Sequence, residues 1–159
     1  SENLLLYLNV YMQVLETLEM LVRNHILHFD IKCDNFLLEP IDKNVSDEDF
    51  YQQKSDVPNF WVHVADFGEA KVWQSDDDAY TYRNRGTEFN KSPEMLQVAY
   101  ASQKTRATYD RRKHGGASTA SDIWSVGCLL YELLTGEFLF YDNDWVRFFI
   151  RVTSPSEQL

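Results

Sequence analysis

The stretch from Ile123 to Leu134 is almost continuously apolar and is followed by Gly136. A helix that is apolar on every side has to be surrounded by other elements. The pattern therefore predicts a buried helix, with Gly136 as its C-terminal cap. The rest of the chain has to wrap it, and the chain is long enough to do so. Its 159 residues make one domain or part of one, and a domain of that size buries roughly 70% of the surface its unfolded chain exposes. The composition, 44% hydrophobic and 25% charged, is that of a globular chain rather than a disordered one.

Residues 3–22 read as an amphipathic helix. Leu4, Leu8, Met12, Leu15, Leu18 and Val22 recur at helical spacing, with Asn9, Gln13, Glu16 and Glu19 between them. Asn24 is its expected stop. Short extended pieces follow at 26–28, 36–39 and 60–65, and residues 66–94 read as one long functional loop. Residues 143–152 suggest a last helix with Asn143 or Asp144 as N-cap. The stretches 41–59 and 98–116 read as loop insertions. Asp42, Asn44 and Ser46 alternate as in a calcium loop, but the glycine and the bidentate glutamate of such a loop are missing, so calcium is rejected. The expected fold is mainly α with a small β element.

Asp and Glu outnumber Lys and Arg by 25 to 15, a formal net charge of −10. Binding to a phosphate backbone needs clustered cations, so no nucleic-acid partner is expected. Arg106, Arg111, Arg112 and Lys113 are a local exception and read as a solvated loop. No apolar run reads as a membrane span, and no membrane partner is expected. Cys33 and Cys128 make no disulfide framework and lack zinc-site spacing, which suits reduced thiols in a cytoplasmic or nuclear compartment. The chain opens on Ser1 with residues that already look helical, and it is expected to be a piece of something longer.

Three motifs stand in the order that phosphoryl transfer needs. They are His28-Phe29-Asp30-Ile31-Lys32-Cys33-Asp34-Asn35, then Asp66-Phe67-Gly68, then Gly86-Thr87 ahead of Ser92-Pro93-Glu94. A fixed carboxylate can orient an attacking hydroxyl and take its proton, and carboxylate and amide oxygens suit Mg²⁺. Asp122-Ile123-Trp124-Ser125-Val126-Gly127 is a fourth motif, at the start of the apolar stretch. Any one of these alone is weak; all four in order are very hard to obtain by chance. On these residues, from Leu4 to about Phe149, the chain resembles the C-terminal lobe of the eukaryotic protein kinase family.

The resemblance implies that family's α+β fold, ATP and Mg²⁺ as cofactors, and a protein substrate; it leaves the oligomeric state open. It implies that Asp30 is the base, that Lys32 steadies the transferred phosphoryl group, and that Thr87 shapes the substrate groove. Asn35 and Asp66 would hold the metal and with it the nucleotide, over Leu37 as the floor under adenine. His28 and Phe67 resemble a stacked pair, Asp122 an acid that holds the catalytic-loop backbone, and Glu94 an acid that pairs with a distant Arg. Lys32 and Gly86-Thr87 point to Ser/Thr rather than Tyr acceptors.

Some features depart from the pattern. Phe29 stands where many relatives carry the Arg that receives an activation phosphate, although Ser75, Tyr80, Thr81 and Tyr82 offer hydroxyls in the activation segment. The six glycines, at 68, 86, 115, 116, 127 and 136, cannot compose a G-x-G-x-x-G loop, and no Val-Ala-x-Lys strand is present. The resemblance therefore covers one lobe. Residues 1–159 alone are expected neither to bind ATP tightly nor to transfer phosphate, and to fold poorly because Glu94 lacks its Arg. The alternative function is that of a pseudokinase or scaffold fragment that binds protein partners without catalysis.

Overall fold

A computed structural model describes residues 4–46, 50, 59–103 and 116–154. Four α-helices are found among them: α1 (Leu4–Arg23), α2 (Pro93–Gln103), α3 (Thr119–Thr135) and α4 (Trp145–Thr153). Four short strands, β1 (Ile26–Leu27), β2 (Phe36–Pro40), β3 (Phe60–Val64) and β4 (Lys71–Val72), form two antiparallel pairs. β1 pairs with β4, placing Leu27 opposite Lys71. β2 pairs with β3 from Phe36–Val64 to Pro40–Phe60. The mainly helical, small-sheet expectation is met.

Helix α1 forms where the periodicity places it, but it buries a different face. Leu6, Val10, Val14, Leu18 and Leu21 are buried. They pack with Ile31, Phe60 and Val62, and with Val126 and Leu129 of α3. Of the predicted stripe only Leu18 is buried, and Leu4, Leu8, Met12 and Val22 are exposed. The helix carries apolar residues on two sides, and the spacing picked out the wrong one. For the same reason α1 is long and apolar enough to cross a membrane by length and composition, contrary to the expectation of no such run. Its contacts with α3 and β3 mark it as a core helix. Asn24 does stop it, its side-chain Nδ2 donating to Met20 O at 2.8 Å, and the next residue, His25, turns left-handed at φ 60°.

Helix α3 ends on Gly136 (φ 75°), whose N–H donates to Glu132 O at 2.8 Å, as expected of a C-cap. It is not buried all round, because Ile123, Tyr131 and Leu134 face outward. Asp144 caps α4 by accepting from Arg147 N at 3.0 Å. Helix α2 is an addition to the sequence reading, which had residues 98–116 in an insertion. Ser92 Oγ accepts from Met95 N (3.3 Å) and Pro93 is the first helical residue, a start signal present in the sequence. Helix α2 meets α4 through Leu96, Phe148 and Val152.

The 41–59 stretch leaves the β2–β3 hairpin and returns to it at a closed base, where Ile41 N donates to Asn59 O at 2.9 Å. The rest of that stretch apart from 41–46, Phe50 and Asn59 lies outside the described residues. So does 104–115, with the basic cluster and His114. Trp73 packs edge-on against His25, Trp124 stacks on Phe140 and Trp145 on Phe149, all as packing residues.

Candidate active site

The loop between β1 and β2 is pinned in two hydrophobic clusters at once. Leu27 and Phe29 sink into one with Trp73, Met95 and Ala117, and Ile31 into the other, beside α1. Asp30 is held between these anchors. The alternation needs a left-handed residue, and Phe29 supplies it at φ 63° despite its bulk. Such a conformation persists only where surrounding contacts fix it. Asp122, in the first turn of α3, does so from below. Its Oδ2 accepts from His28 N and its Oδ1 from Phe29 N, both at 2.8 Å. Burial pushes the Asp122 carboxyl above its ordinary value, and the two backbone amides only partly pull it back. Asp122→Asn replaces one acceptor oxygen by a donor facing a buried N–H. It is expected to lower stability by about 1–3 kcal/mol, read as a lower denaturation midpoint of the full-length protein.

His28 links this loop to the segment after β3. Its Nε2 donates to Ala65 O at 3.1 Å and its Nδ1 accepts from Asp30 N at 3.3 Å, a pattern that requires the Nε2–H tautomer. Its ring meets Phe67 edge-on at 4.9 Å, the expected pair.

The Asp30 carboxylate is the hub of the site. Oδ1 accepts from Thr87 N at 2.8 Å and from Thr87 Oγ1 at 2.7 Å. Oδ2 accepts from Asn35 Nδ2 at 3.1 Å and pairs with Lys32 Nζ at 3.1 Å. Lys32 Nζ also donates to Thr87 Oγ1 at 2.7 Å. Burial alone would raise the Asp30 carboxyl. The hydrogen bonds from Thr87, Lys32 and Asn35, with the Lys32 charge, outweigh it and hold the group below its ordinary 3.8. Asp30, Lys32, Asn35 and Thr87 are therefore one connected cluster.

Asn35 and Asp66 are brought near each other by the hairpin rather than by a direct contact. Asn35 immediately precedes β2, and Ala65 N donates to Asn35 O at 2.8 Å, so Asp66 follows one residue on. Both hydrogen bonds from the Asn35 amide to Asp30 use Nδ2, which turns Oδ1 the other way. Asp66 is exposed and left-handed (φ 57°), with Oδ1 accepting from Gly68 N at 3.2 Å. Among the described residues no group of three or more His, Cys, Asp or Glu side chains could enclose a metal. Two hard oxygens without a cage suit Mg²⁺, which keeps several waters and takes phosphate oxygens. Leu37 stands apart from the cluster, opposite His63 on the outward face of the hairpin and 57% exposed.

Comparison with known proteins agrees with this geometry. Residues 6–154 match the protein kinase domain. The chain belongs to the protein kinase family. It is 61% identical over 158 residues to a probable serine/threonine-protein kinase of Dictyostelium discoideum, covering 99% of this chain and 6% of that protein. It is 35% identical over 122 residues to serine/threonine-protein kinase Nek3 of Oryza sativa subsp. japonica (76% of this chain, 14% of that protein). It is 29% identical over 140 residues to mitogen-activated protein kinase kinase kinase 1 of Arabidopsis thaliana (88% and 17%). The chain thus spans a small part of the length of these relatives.

Two side chains of this kinase lobe differ from expectation. Glu94 is half-buried rather than stranded, because Ser121 Oγ donates to its Oε1 at 2.7 Å. That hydroxyl satisfies one of its two carboxylate oxygens. Arg85, which the motifs did not single out, contacts three parts of the activation segment and its surroundings. The signal was available, since it directly precedes Gly86-Thr87. Cys33 lies in the loop between β1 and β2 as a free thiol. Burial, and then the charge and hydrogen bond of Glu132 and the charge of Asp34, push it up from 9.0 to about 12. Alkylation of Cys33 by iodoacetamide at pH 8 is expected to run on the order of tens of times slower than that of an ordinary thiol, read by mass spectrometry of the labelled peptide.

Proposed function

We propose that the full-length protein is a serine/threonine protein kinase that transfers the γ-phosphoryl group of ATP to protein hydroxyls. The supporting observation is the Asp30 carboxylate with its four donors: Thr87 N and Oγ1 on one oxygen, Lys32 and Asn35 on the other. A carboxylate offers about four acceptor positions, so Asp30 is fully engaged before any substrate arrives. The exchangeable donor is Lys32, a flexible amine whose side chain is 21% exposed. When Lys32 turns toward the transferred phosphoryl group, Oδ2 gains an open lone pair for the acceptor hydroxyl. Orientation and proton acceptance are then performed by one group, while Thr87 and Asn35 keep its plane fixed.

Asn35 Oδ1 and the Asp66 carboxylate would hold Mg²⁺, and Leu37 would lie under the adenine. When bound, the ion would neutralise charge on the phosphates. A scaffold that binds without chemistry has no physical need for Asp30, Lys32, Asn35 and Asp66 together, which favours the enzyme over the pseudokinase. Full-length protein with Mg-ATP and a mixture of Ser-, Thr- and Tyr-containing peptides tests this. Phosphate on Ser or Thr, abolished by EDTA, is expected. Transfer to Tyr alone, or no transfer, would overturn it.

A further inference from the structure

We infer that Arg85 is a positioning residue that orders the activation segment without a phosphate. This side chain does from within the segment what Phe29 cannot do from the catalytic loop. Its Nε donates to Thr81 Oγ1 at 3.1 Å and its Nη1 to Glu69 O at 2.8 Å, with Glu69 Oε2 3.8 Å away. Its Cζ lies 6.0 Å from the centroid of the Phe29 ring. One guanidinium therefore ties the start of the segment, just after Asp66-Phe67-Gly68, to its middle and to its end at Gly86-Thr87. Thr87 is the residue that touches Asp30, so what fixes residue 85 also fixes the catalytic hydrogen bonds.

Thr81 is fitted to this role as a hydroxyl. It is buried, its Oγ1 also accepts from Arg83 N at 3.2 Å, and its backbone is bridged to Ala117 in both directions, at 2.8 and 3.0 Å. A Cβ on Gly116 would lie 2.7 Å from Thr81 O, so the backbone at Gly116 sits tightly against it. Thr81, 4% exposed, therefore presents no open hydroxyl for modification in this arrangement. Lys71 holds the same segment further along, donating to Asp78 Oδ1 at 2.9 Å and to Tyr80 O at 2.7 Å. The two cations occupy the segment's inner surface with carbonyl, hydroxyl and carboxylate partners already in place. Nothing in that arrangement calls for an added anion.

The kinetic consequences rest on the kinase reading above; the ordering does not. In full-length protein, Arg85→Ala should accelerate hydrogen exchange at the amides of Thr81 and Ala117 on the order of tenfold or more. Unchanged protection there would overturn the inference whether or not the protein is a kinase. Wild-type protein treated with phosphatase should keep its activity, and loss of activity on that treatment would also overturn it. Arg85→Ala should lower kcat on the order of tenfold to a hundredfold while KM for ATP moves less than about twofold. Arg85→Lys should restore little, because one ammonium cannot serve Thr81 Oγ1 and Glu69 O as the planar fork does. Thr81→Val, close to isosteric, keeps the fold testable. Its loss should be absorbed in the Arg85→Ala background, and fully additive losses would show that the two residues act separately. Absence of any transfer by the wild type would remove the kinase reading and leave the exchange result to decide the clasp.

Discussion

Asp30→Asn is expected to lower kcat of the full-length protein by about 10²–10⁴-fold while ATP affinity changes little. The substitution keeps the shape of the side chain and removes both its charge and half its acceptors. Oδ1 of Asp30 accepts two bonds from Thr87, and Oδ2 faces Lys32 Nζ and Asn35 Nδ2. An asparagine amide nitrogen on the Oδ2 side meets two donors. Flipped to the other side, it meets the Thr87 N–H. Neither orientation satisfies the site, so the loss combines a missing base with a disturbed loop. Titration distinguishes the charge from the shape. The Asp30 carboxyl is held below its ordinary 3.8, so its ionised form is complete above that value and is lost only as pH falls through the lower folded value. The wild-type kcat/KM profile, which reports the free enzyme with Lys32 still on Asp30, should carry no acid limb assignable to Asp30 from pH 5 to 8. A kcat for Asp30→Asn within tenfold of wild type would remove Asp30 from the chemistry.

The residues proposed to do the chemistry were legible because chemistry restricts residue type. A base, two hard oxygen ligands and a cation leave few substitutes, so Asp30, Asn35, Asp66 and Lys32 stand out at their spacings. Asp122 was legible only through the family resemblance, and its two backbone donors show the physical need for a carboxylate there. The packing faces were less legible. Helix α1 has apolar residues on two sides, and which side is buried depends on Val126 and Leu129 of α3, more than a hundred residues away. Helix α2 begins with a local signal, Ser92-Pro93, that the loop-like composition after it obscured. Arg85 carries only a positional signal, directly before Gly86-Thr87, and its type adds nothing to it. A long side chain can reach many partners, and only the fold brings Glu69, Thr81 and Phe29 around it.

Gly86→Ala is expected to lower kcat on the order of a hundredfold and also to lower stability, although it adds a single carbon. Gly86 has φ 79°, a region costly for a residue with a Cβ, by about 1–2 kcal/mol. The larger obstacle is steric. A Cβ there would lie 2.2 Å from Phe29 O and 3.3 Å from Phe29 C, which are backbone atoms with no side-chain freedom. Phe29 cannot retreat, because its N–H is held by Asp122 and its ring is buried with Leu27, Trp73 and Met95. The chain at residue 86 must therefore move, and it takes Thr87 away from Asp30. Both bonds to Oδ1 are lengthened together, so the defect should fall on kcat more than on KM for ATP. Gly127→Ala is the matched control. A Cβ at Gly127 meets nothing within 4 Å and the residue lies inside helix α3. That substitution is expected to be neutral or stabilising by about 0.4–1 kcal/mol, with kcat unchanged. Equal losses from both substitutions would show that the damage came from a general effect of removing glycine, and that contact between the Phe29 carbonyl and residue 86 does not set the position of Thr87.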